Sequence, residues 1–126
     1  MSGAARSLVH LSAALLLGLG GAAAQAQQAG RLPSADGKPP TALAATLFKP
    51  ASAQGPAPAV ALFHGCGGVG MNVTRMAQRL AGQGIAALVV DSFGPRRITD
   101  ACTRNWPSVA QAADRTRDID TAVAWL

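Results

Sequence analysis

Apolar and polar positions fall into blocks along the chain, and the period changes from block to block. Residues 8–24 are almost wholly apolar, with His10 and Ser12 the only polar members. Residues 27–42 (QQAGRLPSADGKPPTA) are polar and rich in Pro and Gly, with no apolar period, and read as an exposed leader. Residues 43–48 form a first strand ended by Lys49-Pro50, and ASAQGPAP then makes a turn that permits a hairpin return. The run AVALF at 59–63 is apolar throughout, as a strand buried on both faces would be.

A glycine-rich loop follows, and Asn72 is placed to cap a helix. Val73, Met76, Ala77, Leu80 and Ala81 recur at helical spacing, with Arg75, Gln78 and Arg79 on the other side, and Gly82 and Gly84 stop it. IAALVV at 85–90 is a second buried strand, closed by Asp91; residues 92–107 read as a long irregular loop. Ser108 with Gln111 makes a capping-box pattern. After it, Val109, Ala112, Ala113, Thr116, Ile119, Val123 and Leu126 share a helical face. Arg115 with Asp118, and Arg117 with Asp120, are spaced to pair on the solvent side.

The order strand, strand, helix, strand, helix, without internal repeats, predicts an α/β architecture: three strands with one helix on each face. The strand–helix–strand unit between 59 and 90 calls for a right-handed crossover between parallel strands. The last apolar stripe still runs at Leu126 without a Gly, Asn or polar tail, so the pattern reads as an open sheet broken off early.

Composition changes this picture at the N-terminus. Arg6, the apolar run, and the overlapping sites Ala22-Ala23-Ala24 and Ala24-Gln25-Ala26 have the layout of a secretory signal peptide over 1–26, cleaved after Ala24 or Ala26. The expected destination is the periplasm or beyond, with no membrane attachment after cleavage. The formal net charge is +5, one unit of it from Arg6, and the remaining basic residues are scattered. With aromatic residues at 4%, this is a poor basis for binding nucleic acid. Cys66 and Cys102 both lie in the mature part, where an oxidising compartment permits a disulfide if the fold brings them together.

The candidate chemistry lies in VALFHGCGGVGMN, residues 60–72. Gly65, Gly67 and Gly70 fit the G-x-G-x-x-G spacing of a dinucleotide-binding turn, with Asp91 about where a ribose-binding acid belongs. Against this, a helix starting at Asn72 lies well past the second glycine, His64 has no role, and export removes the protein from the usual NAD pool. Read instead as H-G-C-G-G after a strand, the loop suits acyl transfer. There, backbone N–H groups must already point to where a carbonyl oxygen gains negative charge, and glycines allow close approach. His64 then serves as a hydrogen-bonding strut.

LFHGCGG, a helix ending in GQG, then IAALVVDSFGPR, then a Cys before a helix ending in Trp-Leu, resembles the dienelactone hydrolase family of α/β-hydrolases over residues 43–126. The resemblance implies a larger, mostly parallel sheet, of which these would be the second to fourth strands. It also implies hydrolysis of a small-molecule ester or lactone by a nucleophile–His–Asp triad, without cofactor or metal. Carried over by position, Cys66 is the oxyanion donor through its N–H, with Gly67 beside it and Gly65, Gly68 and His64 supporting the loop. Arg96 falls near where relatives bind a substrate carboxylate; a loop arginine paired with a nearby acid is the alternative. Asp91 is a strand-end residue anchoring the next loop. In the resembled fold the two cysteine-bearing loops are neighbours, so a Cys66–Cys102 bridge is expected. No G-x-C-x-G or G-x-S-x-G elbow occurs, and no histidine follows His64. The expectation is thus the N-terminal part of an exported hydrolase, inactive by itself; a non-catalytic exported binding domain is the rival reading.

Overall fold

The computed structural model describes residues 26–51, 53–99, 101–102 and 109–126, with side chains from Ala112 onward in the last segment. The signal-peptide residues before Ala26 and the Ser108 capping box lie outside it.

Four strands form one sheet in the order β1-β2-β4-β3: β1 (Ala26–Pro33), β2 (Ala42–Lys49), β3 (Ala59–Phe63) and β4 (Ala86–Asp91). Helix α1 (Met71–Gly82) joins β3 to β4, and α2 (Val109–Trp125) closes the described chain. β4 carries the longest fully apolar stretch, so it occupies the centre: Ala87 and Val89 face one side, Leu88 and Val90 the other, and all four are buried. On one face Phe48, Ala87 and Val89 pack with Ala77 and Ala81 of α1. On the other, Leu43, Ala45, Leu47, Leu88 and Val90 pack with Leu32 of β1 and Ala122 of α2. One helix per face is as the pattern predicts.

Three expectations about the sheet and the last helix change. First, β2 does not return as a hairpin onto β3; it pairs antiparallel with β4, which lies between them, and β3 pairs with β4 in parallel. β2 is apolar towards both helices, so a neighbour buried on both faces suits it better than the edge strand. Second, residues 26–33 are not a loose leader. They pair antiparallel with β2 from Ala26↔Lys49 to Pro33↔Ala42, so the sheet has four described strands and is mixed, with one parallel pairing of three. β1 escaped the pattern because only Leu32 of its eight residues is buried. Third, α2 turns a different face inward. Asp118 and Ala122 are fully buried, while Ile119, Val123 and Leu126 of the predicted stripe are exposed.

Helix α1 begins earlier than expected: Gly70, in extended conformation, is its N-cap, and Asn72 already lies in the helix. Its end follows the pattern. Gly84 takes φ +86°, and the N–H groups of Gly84 and Ile85 return to the carbonyls of Ala81 and Leu80, a Schellman arrangement that needs glycine at the left-handed position.

Candidate functional site

The glycine-rich loop leaves β3 at its C-terminal end, beside the end of parallel β4. Three successive carbonyls at its root are each held by a donor from a different place. The Arg115 guanidinium on α2 donates through Nη2 to the His64 carbonyl at 2.8 Å. The His64 ring reaches the Gly65 carbonyl through Nδ1 at 2.8 Å. The Ala101 N–H, in the segment after β4, donates to the Cys66 carbonyl at 2.8 Å.

A trans peptide points its N–H opposite to its C=O. With the carbonyls of Gly65 and Cys66 anchored to protein donors, the N–H groups of Cys66 and Gly67 are turned to the other side. Among the described residues no acceptor engages either one. Among the described residues, a Cβ placed at Gly65 or Gly67 would meet nothing within 4 Å. Gly68 has φ +79°, closing the turn in which its N–H donates to the Gly65 carbonyl at 3.2 Å; glycine is required there by backbone conformation.

His64 is buried, and both its nitrogens are in use. Nε2 lies 3.1 Å from the Ser92 N–H, which can only donate, so Nε2 is the unprotonated nitrogen and the proton sits on Nδ1, facing the Gly65 carbonyl. The ring also meets Phe93 edge-on, centroids 4.5 Å apart. An imidazole committed in this way is a strut for the loop and has no free nitrogen to act as a base. Asp91 holds the neighbouring turn: its Oδ1 accepts from the N–H groups of Phe93 and Gly94, both at 2.9 Å. A side chain at Gly94 would collide with that carboxylate, which accounts for the glycine of SFGPR. The carboxylate wanted for a ribose is therefore occupied in a strand-end cap, and α1 starts after the third glycine rather than at the second. Neither feature suits a pyrophosphate cradle.

Cys66 and Cys102 are joined by a disulfide, with Cα atoms 4.9 Å apart, tying the loop after β3 to the segment after β4. Arg96, placed by a 3-10 turn at Gly94–Arg96, is committed to the protein. It grips the buried Asp118 in a two-pronged pair at 2.7 and 2.8 Å, contacts Asp36 at 2.7 Å, and donates to the Ser92 carbonyl at 2.8 Å. Ser34 completes the cluster, donating to Asp118 at 2.6 Å. A substrate carboxylate would have to displace Asp118 or Asp36, so the geometry favours the ion-pair alternative over a substrate-binding role for Arg96. Hydrogen bonds donated to Asp118 raise the Arg96 guanidinium above its ordinary value, against burial, with Asp36 adding to the rise. Burial raises the Asp36 carboxyl, but its bonds to Thr41 and the Arg96 guanidinium outweigh this and lower it to about 2.

Sequence reasoning missed Ser34, Asp36, Ser92, Arg115 and Asp118 in these roles. The expected surface pair Arg115–Asp118 does not form: Arg115 turns to the loop, its guanidinium 5.3 Å from the Phe93 ring centroid, and Asp118 to Arg96. Arg117 pairs with Asp114 at 2.8 Å instead of with Asp120. The spacing 115, 118, 122 is helical, but two of the three residues are charged, so hydrophobic periodicity could not mark them. Among the described residues, no group of three or more His, Cys, Asp or Glu could hold a metal ion.

The model of the dienelactone hydrolase family matches residues 43–124. Among solved structures, the chain is similar to a dienelactone hydrolase-like promiscuous phosphotriesterase from metagenomic libraries. The two share 26% sequence identity with a TM-score of 0.58, over 79% of this chain and 42% of that one. A second solved chain, described as m3DLH, aligns at 22% identity and a TM-score of 0.42 over 79% of this chain and 38% of that one; it carries no argument. No curated protein matches significantly. The chain thus spans less than half the length of either solved structure.

Proposed function

Because the chain belongs to the dienelactone hydrolase family, we propose that its glycine-rich loop is the strand-end half of an oxyanion hole in an exported hydrolase of small-molecule esters or lactones. The observation that carries this reading is the pair of N–H groups at Cys66 and Gly67, turned outward by carbonyls pinned at Gly65 and Cys66. As an ester carbonyl becomes tetrahedral its oxygen gains a full negative charge. Two fixed N–H dipoles stabilise that charge without reorganising, and losing one such donor slows catalysis by about 10²–10³-fold.

Residues 1–126 contain no nucleophile elbow, and the one histidine near the loop is not free to act as a base. On this reading they contribute positioning and charge stabilisation, and the 126 residues alone hydrolyse nothing above background. The phosphotriesterase activity stated for the structural neighbour widens the substrate range to test, since a phosphoryl oxygen gains charge in the same way during attack. Export is supported by the leader pattern and by the Cys66–Cys102 bridge, which suits an oxidising compartment. No helix among the described residues is long and apolar enough to cross a membrane. Ala26 is the first residue of β1, paired with Lys49, so cleavage after Ala24 is the choice that keeps the strand whole.

The test is a chimera in which residues 43–126 replace the matching segment of the phosphotriesterase neighbour, assayed on a p-nitrophenyl ester and a phosphotriester. Substituting Gly67→Pro removes one outward N–H, and a loss of about 10²-fold or more in kcat with an unchanged fold is expected. A folded, active chimera that does not notice the loss of that N–H would remove the oxyanion role.

A further inference from the structure

Among the described residues, two buried polar atoms beside His64 have no protein partner: Ser92 Oγ and Arg115 Nη1. Both residues line one small cavity with Phe93, Arg96, Ile98 and Asp114. Its volume is about 10 Å³, room for a single water molecule. We propose that this cavity is a one-water site bridging Ser92 Oγ and Arg115 Nη1, and that the water closes a ring of hydrogen bonds around His64.

The ring can be followed atom by atom. The Ser92 N–H donates to His64 Nε2 at 3.1 Å, and Arg115 Nη2 donates to the His64 carbonyl at 2.8 Å. The unpartnered atoms are the other ends of the same two residues, the Ser92 hydroxyl and the second terminal nitrogen of Arg115, and both residues line the cavity. Nη1 has only hydrogens to give, whereas the hydroxyl can give one or accept. The occupant must therefore accept from Arg115 and either donate to Ser92 or accept from it. A water does so within the available volume. A metal cation would face the guanidinium directly. The Asp114 carboxylate on the wall, with Asp118 and Asp36 already paired to Arg96, leaves little positive charge uncompensated to hold a halide.

Leaving a donor and an acceptor buried and unpaired costs about as much as a lost hydrogen bond for each, and the bridge removes both costs. It also fixes Ser92 relative to Arg115, and through them both the ring and the carbonyl of His64. The root of the glycine-rich loop is then held from two sides by one closed circuit. This site stands whether or not the loop binds an oxyanion.

A high-resolution crystal structure of the full chain tests the site directly. A solvent peak within hydrogen-bond distance of both Ser92 Oγ and Arg115 Nη1 is expected. Direct protein partners for both atoms, a peak with the anomalous signal of a halide, or no peak between well-ordered side chains would each overturn it. Thermal melting gives a second readout. With the bridge present, Ser92→Ala removes a used hydroxyl, and the midpoint should fall by about 4–8 °C. An unchanged or raised midpoint in a folded variant would show that the hydroxyl was unpaired and the site dry. If Ser92→Ala does not fold, the solvent peak in the unsubstituted chain decides.

Discussion

At the scale of single residues, the recurring theme is charge taken out of solvent and spent on holding loops. Arg96 sits between Asp118 and Asp36, with side-chain exposures of 11%, 0% and 9%. Such a cluster adds little over a well-packed apolar core, but removing one partner leaves an uncompensated buried charge and costs about 3–5 kcal/mol. Its pH dependence follows from Asp36, whose carboxyl is lowered from 3.8 to about 2. A depressed carboxylate contributes stability that is fully present above its unfolded value and lost as pH falls through the folded one. Asp36→Asn should therefore be less stable than the unsubstituted protein at pH 7, with the gap closing between about pH 4 and pH 2. Urea midpoints measured across that range check this; a gap as wide at pH 2 as at pH 7 would contradict it.

At the scale of elements, what was legible in the sequence depended on how much of each element's burial is apolar. β3 and β4 announce themselves as unbroken apolar runs and α1 by its helical period, and Gly84 marks a helix end that backbone conformation demands. β1 does not, because it buries one leucine; α2 was legible as a helix but not in its inward face, which buries an aspartate where a leucine would be looked for. The glycine-rich loop was legible as a local motif, and the cysteine pairing followed from the family resemblance, which makes the two loops neighbours. The donors that fix the loop were not, since Arg115 and Ala101 lie 51 and 35 residues from the carbonyls they hold. The disulfide joins the loops after the two parallel strands across 36 residues of sequence. A loop of that length loses about 4 kcal/mol of unfolded-state freedom when closed. Cys102 is exposed, so reductant can reach the bridge. Dithiothreitol, or the double substitution Cys66→Ala with Cys102→Ala, should lower the urea midpoint substantially and speed hydrogen exchange at the Ala101 N–H. Equal midpoints with and without reductant would show that the bridge contributes no net stability.

At the scale of the whole molecule, the two edges of the sheet differ in kind. β1 presents Gln27, Gln28 and Arg31, polar residues that discourage further pairing at that edge. β3 is apolar along its length, and among the described strands it pairs only with β4. Both helices carry exposed apolar side chains as well: Met71 at 66% and Met76 on α1, and Ile119, Val123 at 62% and Trp125 on α2. A groove of about 370 Å³ lined in part by Leu47, Pro50, Ala59, Ala86, Trp125 and Leu126 continues this surface. A bare apolar edge strand combined with exposed apolar helix residues favours association in water, because burying each costs less than hydrating it. Copies of these 126 residues should therefore associate in a concentration-dependent way, seen as earlier elution in size exclusion as concentration rises. Met71→Lys together with Val123→Lys places charges on both helices without touching the buried core, and should shift the population towards monomer with little change in the urea midpoint. If the unsubstituted chain elutes as a monomer at every concentration, the exposed surface is better solvated than its composition implies. If the lysine pair leaves association unchanged, the contact runs through the β3 edge and not through the helices, and a charge placed on β3 itself should then break it.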